Sequence, residues 1–504
     1  MESNTCAGGS PPHWSRRSWR QSWSRRCSAS RSSEAVPRSS RPGAARRSSR
    51  PGSRRRRQLN SPPVDASWLE ELREFIAIPS VSADPAHADD VRRAAEWVRD
   101  FVKRAGGEAE LVPQGDGDLV IGDLPASTNG GAAPTVLIYG HFDVQPPAPL
   151  ELWESPPFEL AERDGWYYAR GIADDKGQLF TLLKAAQLLQ QQGALPVNLR
   201  IACDGEEEIG GHSIVDFIRE DDRGADACVI FDGGMTRADR PEFGLATRGL
   251  IGFQIKVRTG ERDLHSGYYG GAALNAIHVL VQGLSAVIAR DGLLPDQLRV
   301  GRQPFTQVEV DSIKRLPTGW EILYEAGATP LDPKAPEEFY DRTWAEPSLD
   351  VNGIRGGKPE FVNTTLIVEA EARLTIRLAP GQDLETIADA AEKLIRRAIP
   401  EQAEVEIVRE NSAPPGVFSP DSPAIKLGLE AFTKALGVRP LLVRVGGTLP
   451  IYPALAERGI PTIGTGFALR ESNVHSPNER LRVQDVDRAV AAASELYRSL
   501  AALG

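Results

Sequence analysis

The residues able to do chemistry are gathered in a few short stretches. In V-L-I-Y-G-H-F-D-V, Val136 to Val144, His141 and Asp143 stand two residues apart at the end of an apolar run. Four apolar or aromatic residues in succession suit a buried strand of a parallel sheet. Residues i and i+2 of an extended segment face the same side. An imidazole and a carboxylate would therefore meet at the strand's C-terminal end, where open α/β sheets bind ligands. A neutral imidazole is a good zinc ligand, and a carboxylate beside it can orient the ring from behind.

Other carboxylates fall in comparable places. Asp174 or Asp175 lies in R-G-I-A-D-D-K-G (170–177), Glu206, Glu207 and Glu208 in D-G-E-E-E-I-G-G (204–211), and Asp232 in D-G-G. Of the seven histidines, His141, His265 and His475 sit in polar loops containing glycine or serine, whereas His13, His87, His212 and His278 do not. Several carboxylates and two imidazoles at strand ends point to two divalent cations sharing one carboxylate. Such a pair polarises a carbonyl and makes a water between the ions more acidic. One glutamate of the triplet could stay off the metal as general base. Singly each motif is commonplace, since acidic triplets are usually solvated faces and D-D-K-G is often a plain turn. Their joint occurrence is what indicates one site.

The elements needed to position these groups are legible in outline. Helices are expected from Ala66 to the residue before Pro79 and over about 88–105, the second stopped by Gly106-Gly107. Strands are expected at 136–140, 166–169, 197–203 and 227–231, with helices over 178–192 and after Ser213. The proline-rich segment 146–159 reads as a loop over the site. This rhythm predicts an α/β domain with a mainly parallel central sheet. From about Thr247 the texture changes to alternating strands (Leu366–Leu378, Ala403–Val408) and two helices (Leu274–Arg290, Leu384–Ala398), a compact α+β insert. The interval 291–362 gives no clear pattern. After Pro414-Pro415 the α/β rhythm resumes, with a helix at 423–436, a strand at 441–445, the turn G-G-T-L-P (446–450) and a last helix at about 484–501.

Composition sets wider bounds. The 504 residues are 41% hydrophobic and 25% charged, ordinary for a globular enzyme and long enough for two or three domains. No run of eighteen apolar residues is available to span a membrane. Residues 1–57 hold fifteen Arg, no Lys and two acidic residues, a net of +13; with −10 overall, the rest of the chain carries −23. An acidic body disfavours nucleic acid, except through the Arg/Ser-rich tail. That tail is expected to be disordered: an organelle transit segment in composition, a basic arm, or residues preceding a true start near Leu59. The four cysteines (6, 27, 203, 228) fit neither a zinc knuckle nor a disulfide framework, and with no export signal a reducing cytoplasm is the default.

Five motifs, H-F-D-V (141–144), R-G-I-A-D-D-K-G (170–177), G-E-E-E-I-G (205–210), D-L-H-S-G-Y-Y-G-G (263–271) and H-S-P-N-E (475–479), occur in this order. In them the chain resembles the co-catalytic zinc metallopeptidase family of carnosinase, cytosolic non-specific dipeptidase, aminoacylase and glutamate carboxypeptidase. The resemblance implies a zinc-peptidase catalytic domain in two parts, 61–246 and 411–504, interrupted by a lid and dimerisation domain at 247–410, with a tail at 1–60. It further implies two divalent metal ions per subunit, zinc, with manganese or cobalt as alternatives. His141 and Asp232 would hold one ion, Glu208 and His475 the other, and Asp174 both. Asp143 would orient His141, and Glu207 would be the general base. His265 would reach the partner subunit's site in a homodimer and stabilise the oxyanion. Arg377, with Thr448 and Gly447, would bind the substrate's terminal carboxylate. Pro477 and Asp175 stand where relatives commonly carry other residues. The implied activity is hydrolysis of dipeptides or small peptides, with N-acyl-amino-acid deacylation as the nearest alternative.

Overall fold

The computed structural model describes residues 66–115, 117–127, 133–447 and 449–504. The expected tail, 1–60, lies outside the described residues. Two amphipathic helices lead in, α1 (Ala66–Ile76) and α2 (Ala88–Arg104). In α2, Ala94, Ala95, Val98, Phe101 and Val102 form one buried face. Asp89 and Asp90 in its first turn and Lys103 and Arg104 in its last complement the helix dipole.

A hairpin of β1 (Glu108–Gln114) and β2 (Gly117–Leu124) precedes β3 (Thr135–His141). The short strands β4 (Ala161–Arg163) and β5 (Trp166–Tyr168) come next, and α3 (Lys176–Gln191) follows. Strand β6 (Asn198–Asp204), α4 (Ser213–Glu220), β7 (Ala227–Ile230) and β8 (Glu242–Thr247) complete the first half. Helix α3 is buried on nearly every face, packed between β3 and the last helix. That explains its leucine- and alanine-rich composition.

The next strands are β9 (Gly249–Arg258) and β10 (Leu264–His265). Helix α5 (Ala276–Ser285) is shorter than the expected Leu274–Arg290. Asn275 caps it by accepting from the amides of Ile277 and His278, and the chain turns away at Asp291-Gly292, both left-handed. Helices α6 (Gln307–Ile313) and α7 (Gly319–Glu325) occupy the interval without a clear pattern. Each opens on a capping box, Thr306 with Glu309 and Thr318 with Glu321. Strands β11 (Ser348–Arg355), β12 (Thr365–Leu366) and β13 (Glu369–Leu378) follow, then α8 (Leu384–Ala398) and β14 (Glu404–Ala413). The chain ends with α9 (Pro423–Leu436), β15 (Leu441–Val445), α10 (Ile451–Glu457), β16 (Thr462–Gly464), β17 (Arg480–Arg482) and α11 (Val483–Leu500).

The central sheet has the order β1-β2-β6-β3-β7-β16-β8-β15. Strand β3 runs parallel to β6 and β7 on either side, and β16 runs parallel to β7. Four C-terminal ends therefore open on one edge, those of β6, β3, β7 and β16. Sheet order, not chain order, makes them neighbours.

Strands β11-β13-β9-β14 form a separate antiparallel sheet. Ile251, Phe253, Ile255 and Val257 of β9 and Ala372, Leu374 and Ile376 of β13 turn one face toward α5 and α8. Strict alternation puts Arg373 and Arg377 of β13 on the other face. Residues 305–344, within the span expected for the insert, pack elsewhere. Leu316 and Tyr340 cluster with Leu441 and Val443 of β15, the edge strand of the central sheet. The amide of Leu442 donates to Ser312 Oγ at 3.1 Å, and Arg444 forms a buried ion pair with Glu309 at 2.6 Å. The segment shields an edge that would otherwise present unpaired backbone groups.

Candidate active site

His141 ends β3, and neither it nor Asp143 is accessible to solvent. Asp143 Oδ1 lies 3.2 Å from His141 Nδ1, which leaves Nε2 free to face the centre of the site. Its other oxygen accepts from Ser82 Oγ at 2.6 Å and from the amide of Glu208 at 3.1 Å. One carboxylate thereby orients the histidine and ties the end of β3 to the loop after β6.

Two further groups converge on His141 Nε2. Asp174 Oδ1 lies 3.1 Å away and Asp232 Oδ2 3.9 Å away. The second oxygen of Asp174 lies 2.9 Å from His475 Nε2, which is itself 3.1 Å from Glu208 Oε2. His141, Asp174 and Asp232 form one triad of donor atoms within 4.8 Å of one another, and Asp174, Glu208 and His475 form a second. Asp174 belongs to both. The sequence left Asp174 and Asp175 open before the resemblance, and the structure separates them. Asp174 faces the histidines, while Asp175 is fully buried and neither of its side-chain oxygens has a hydrogen-bond partner among the described residues.

Electrostatics set the character of this cluster. Burial alone would lower the His141 imidazolium, but Asp143 and Asp174, with the charges of Asp232 and Glu207, raise it well above its usual range. His475 is raised to about 10 by hydrogen bonds to Asp174 and Glu208. Burial alone would raise the Asp174 carboxyl, yet bonds to both histidines hold it below its usual range. Burial pushes Asp232 well up, and its Oδ2 is buried without a hydrogen-bond partner among the described residues. Glu207 is raised by burial first and then by the charges around it, Asp174 and Glu208 among them. Three carboxylates (Asp174, Glu208 and Asp232) around two imidazoles, one with a buried oxygen that makes no hydrogen bond among the described residues, make a donor set that fits divalent cations.

A cleft of about 390 Å³ opens beside Asp174 and Asp232, with Met235, Leu469 and Val474 giving an apolar wall and Glu242 and Arg470 a polar one.

The remaining expected residues are distributed as follows. Arg377 is half-buried on β13, paired in register with Ser348 of β11. Beside it the buried Arg248 donates from its amide to Gly447 O at 3.1 Å, from Nη1 to Thr343 O at 3.0 Å, and from Nη2 to Ser348 Oγ. Burial and the charge of Arg377 lower Arg248 to about 10. Arg248 thus links Gly447 to the strands that carry Arg377. Thr448 lies outside the described residues. His265, on β10, is exposed; its ring accepts from the amide of Gly267 at 3.0 Å and lies 4.8 Å from the ring of Tyr268, apart from the two triads.

Several supporting residues were not singled out from the sequence. Gln145 holds Glu208, donating from Nε2 to Oε2 at 2.8 Å and from its amide to Oε1 at 3.2 Å. Asn478 accepts from the amide of Glu154 at 2.9 Å and donates to Leu152 O at 2.8 Å, fastening the proline-rich loop 146–159 to the H-S-P-N-E turn. Arg170 and Glu479 form a fully buried ion pair at 2.6 Å. All but Gln145 and Ser82 lie inside the quoted motifs, so the signal was membership of a motif without a role for the residue.

The protein-family description "Peptidase family M20/M25/M40" matches residues 137–499. The cysteinylglycine-S-conjugate dipeptidase of Corynebacterium striatum is 28% identical over 440 residues, 84% of this chain and 94% of that protein. The Cys-Gly metallodipeptidase dug1 of Schizosaccharomyces pombe is 27% identical over 440 residues, 82% of this chain and 91% of that protein. Among solved structures, an M20 family metallo-carboxypeptidase from Sulfolobus solfataricus superposes with a TM-score of 0.75 at 26% identity, covering 87% of this chain and all of that one.

Proposed function

The chain belongs to peptidase family M20/M25/M40, and from that premise we propose that it is a metal-dependent dipeptidase acting on small, free dipeptides. The observation that carries the reading is the pair of donor triads sharing Asp174, with the carboxylate of Glu207 alongside. His141, Asp174 and Asp232 would hold one divalent cation and Asp174, Glu208 and His475 a second, with zinc suiting this mixture of imidazole and carboxylate. When bound, such cations polarise a carbonyl and make water more acidic.

The chain's own groups do the rest. Asp143 fixes the His141 ring through Nδ1. Glu207 takes a proton from the attacking water as its oxygen bonds to the scissile carbonyl carbon. It then delivers that proton to the leaving nitrogen as the C–N bond breaks. Burial and like charges raise Glu207 above its usual range, the direction that makes a carboxylate a better base. Arg377 would clamp the substrate's terminal carboxylate with Gly447 and Thr448. His265 would serve a second copy of the chain, stabilising the oxyanion there. A homodimer is supported by the apolar residues exposed near His265 and β12: Tyr268 (82% exposed), Tyr269 (48%), Phe361 (65%) and Val362 (108%). Cys203 and Cys228 are buried and free, which suits a reducing compartment such as the cytoplasm. Among the described residues no helix is long and apolar enough to cross a membrane.

The names of the two relatives favour Cys-Gly as the first substrate to try. The test is turnover of Cys-Gly, Ala-Ala, carnosine and N-acetyl and N-succinyl amino acids by metal-stripped protein re-supplied with zinc, manganese or cobalt. Metal-dependent release of amino acids from the dipeptides is expected. Turnover of the acylated amino acids alone would move the activity to deacylation, and no turnover with any metal would overturn the reading.

A further inference from the structure

We infer that Glu479 is a positioning residue for the shared ligand Asp174, holding both donor triads in place at once. The inference rests on the metal-binding reading above. Glu479 is fully buried and accepts four hydrogen bonds, all from one loop. Its Oε1 receives the amides of Ala173 at 2.8 Å and Asp174 at 3.1 Å. Its Oε2 receives the amide of Gly171 at 3.0 Å and Arg170 Nη1 at 2.6 Å. The backbone carbonyl of Glu479 accepts a fifth bond, from the amide of Ala169 at 3.1 Å. The loop 169–174 is in effect wrapped around one carboxylate, and the last amide it grips is that of Asp174.

The chemistry of the side chain matters. An ionised carboxylate only accepts and has lone pairs for all four donors. A glutamine of the same shape would point its NH₂ group at two of them. A buried charge of this kind adds little net stability compared with apolar packing, so its value is in fixing one geometry. That geometry serves both triads, because Asp174 lies 3.1 Å from His141 on one side and 2.9 Å from His475 on the other. His475 stands four residues before Glu479, in a turn with three non-glycine left-handed residues (Asn473, His475 and Asn478). Such a turn persists only when its surroundings over-determine it. Arg170 extends the network by donating its amide to Pro157 O at 2.7 Å, and its guanidinium lies 5.7 Å from the ring centre of Trp153.

The test is equilibrium metal uptake by the metal-stripped full chain, followed by metal analysis after dialysis against buffered zinc. Glu479→Gln is expected to weaken both ions together by about 10–100-fold, the range seen when partners that orient metal ligands are removed. Turnover should recover at saturating zinc. Gln145→Ala, which touches Glu208 alone, should weaken only one ion. If Glu479→Gln fails to fold, the double variant Arg170→Met with Glu479→Gln leaves no buried charge unpaired and carries the same expectation. Wild-type affinity for both ions in the folded variant, or weakening of one ion only, would overturn the inference, whatever the change in melting temperature. Failure of the wild-type chain to bind metal would overturn the metal reading instead.

Discussion

Replacing Glu207 with Gln separates the proposed base from everything around it. Among the described residues the Glu207 carboxylate makes no hydrogen bond, so the amide breaks none. Burial first, and then the charges of its acidic neighbours Asp174, Glu208 and Asp143, raise its affinity for a proton against the opposing charge of His141. Removing one negative charge from that group relieves repulsion in the metal-free protein. The variant should therefore melt no lower than the wild type and keep both donor triads intact. Loss of a positioned general base costs about 10²–10⁴-fold in rate, or about 3–5 kcal/mol on the barrier. Little of this should fall on KM, because Glu207 is not asked to bind the ground state.

The pH profile adds a second reading. A base whose carboxyl is raised above 4.5 must lose its proton before it can act, so the wild-type kcat should fall on the acid side as pH drops through that raised value. The residual activity of Glu207→Gln should lack that limb. The assay is steady-state hydrolysis of Cys-Gly from pH 5 to 9, with bound metal measured on the same samples. A kcat within tenfold of wild type would falsify the assignment. So would a large loss accompanied by loss of metal, since Glu207 would then be holding the site rather than the proton.

Other consequences are open to measurement. His475 carries its proton up to about pH 10 in the metal-free protein, so a cation must displace it. Metal affinity should rise about tenfold per pH unit for each proton released between pH 7 and 9, with calorimetry in two buffers counting the protons; uptake independent of pH would refute this. Arg377→Ala should reduce kcat/KM by about 10–150-fold, equivalent to a charged hydrogen bond of about 1.5–3 kcal/mol. Substrates with an amidated C-terminus should be indifferent, and an equal loss on both would remove the clamp. Glu309→Gln should cost about 3–5 kcal/mol in urea denaturation at pH 7, because it leaves Arg444 buried without its partner. Burial alone would raise Glu309, but Arg444 and Thr306 bring it below 4.5. Its contribution is then full above pH 4.5 and fades as pH falls through the lowered value, so wild type and variant should converge in acid.

What could be read from the chain beforehand follows a physical pattern. His141 ends a buried apolar strand and Asp232 follows one within two residues, and an apolar run ending in a polar residue is a local signal. The helices over 88–104, 384–398 and 423–436 were legible because their apolar spacing is regular. The interval 291–362 was not, because α6 and α7 are seven residues each and only Ile313 and Ile322 of them join the apolar cluster on β15, a strand more than a hundred residues further on. The capping boxes T-x-x-E at 306–309 and 318–321 were the available signal. Glu479 was beyond local reading altogether, since its four donors lie 305 to 309 residues earlier in the chain.

The same division accounts for where the supporting residues sit. Ligands at strand ends are positioned by the sheet, because the pairing of β3 with β6 sets His141 opposite Asp204, and β7 follows on the other side. Asp174 and His475 have no such support, lying in loops before α3 and before β17. These are the candidate ligands whose loops are fastened by polar groups, the buried Glu479 and Arg170 for one and the half-buried Asn478 for the other. Asp174 is also the candidate ligand that belongs to both triads, so a residue without sheet support carries the heaviest geometric demand. A buried ion pair there is costly to desolvate, and an apolar pair of equal volume could be as stable. Only a fixed acceptor, however, can hold the amides of 171, 173 and 174 in one arrangement. Substitutions at the fasteners should therefore change metal affinity more than melting temperature, and substitutions in the β3 core should do the reverse.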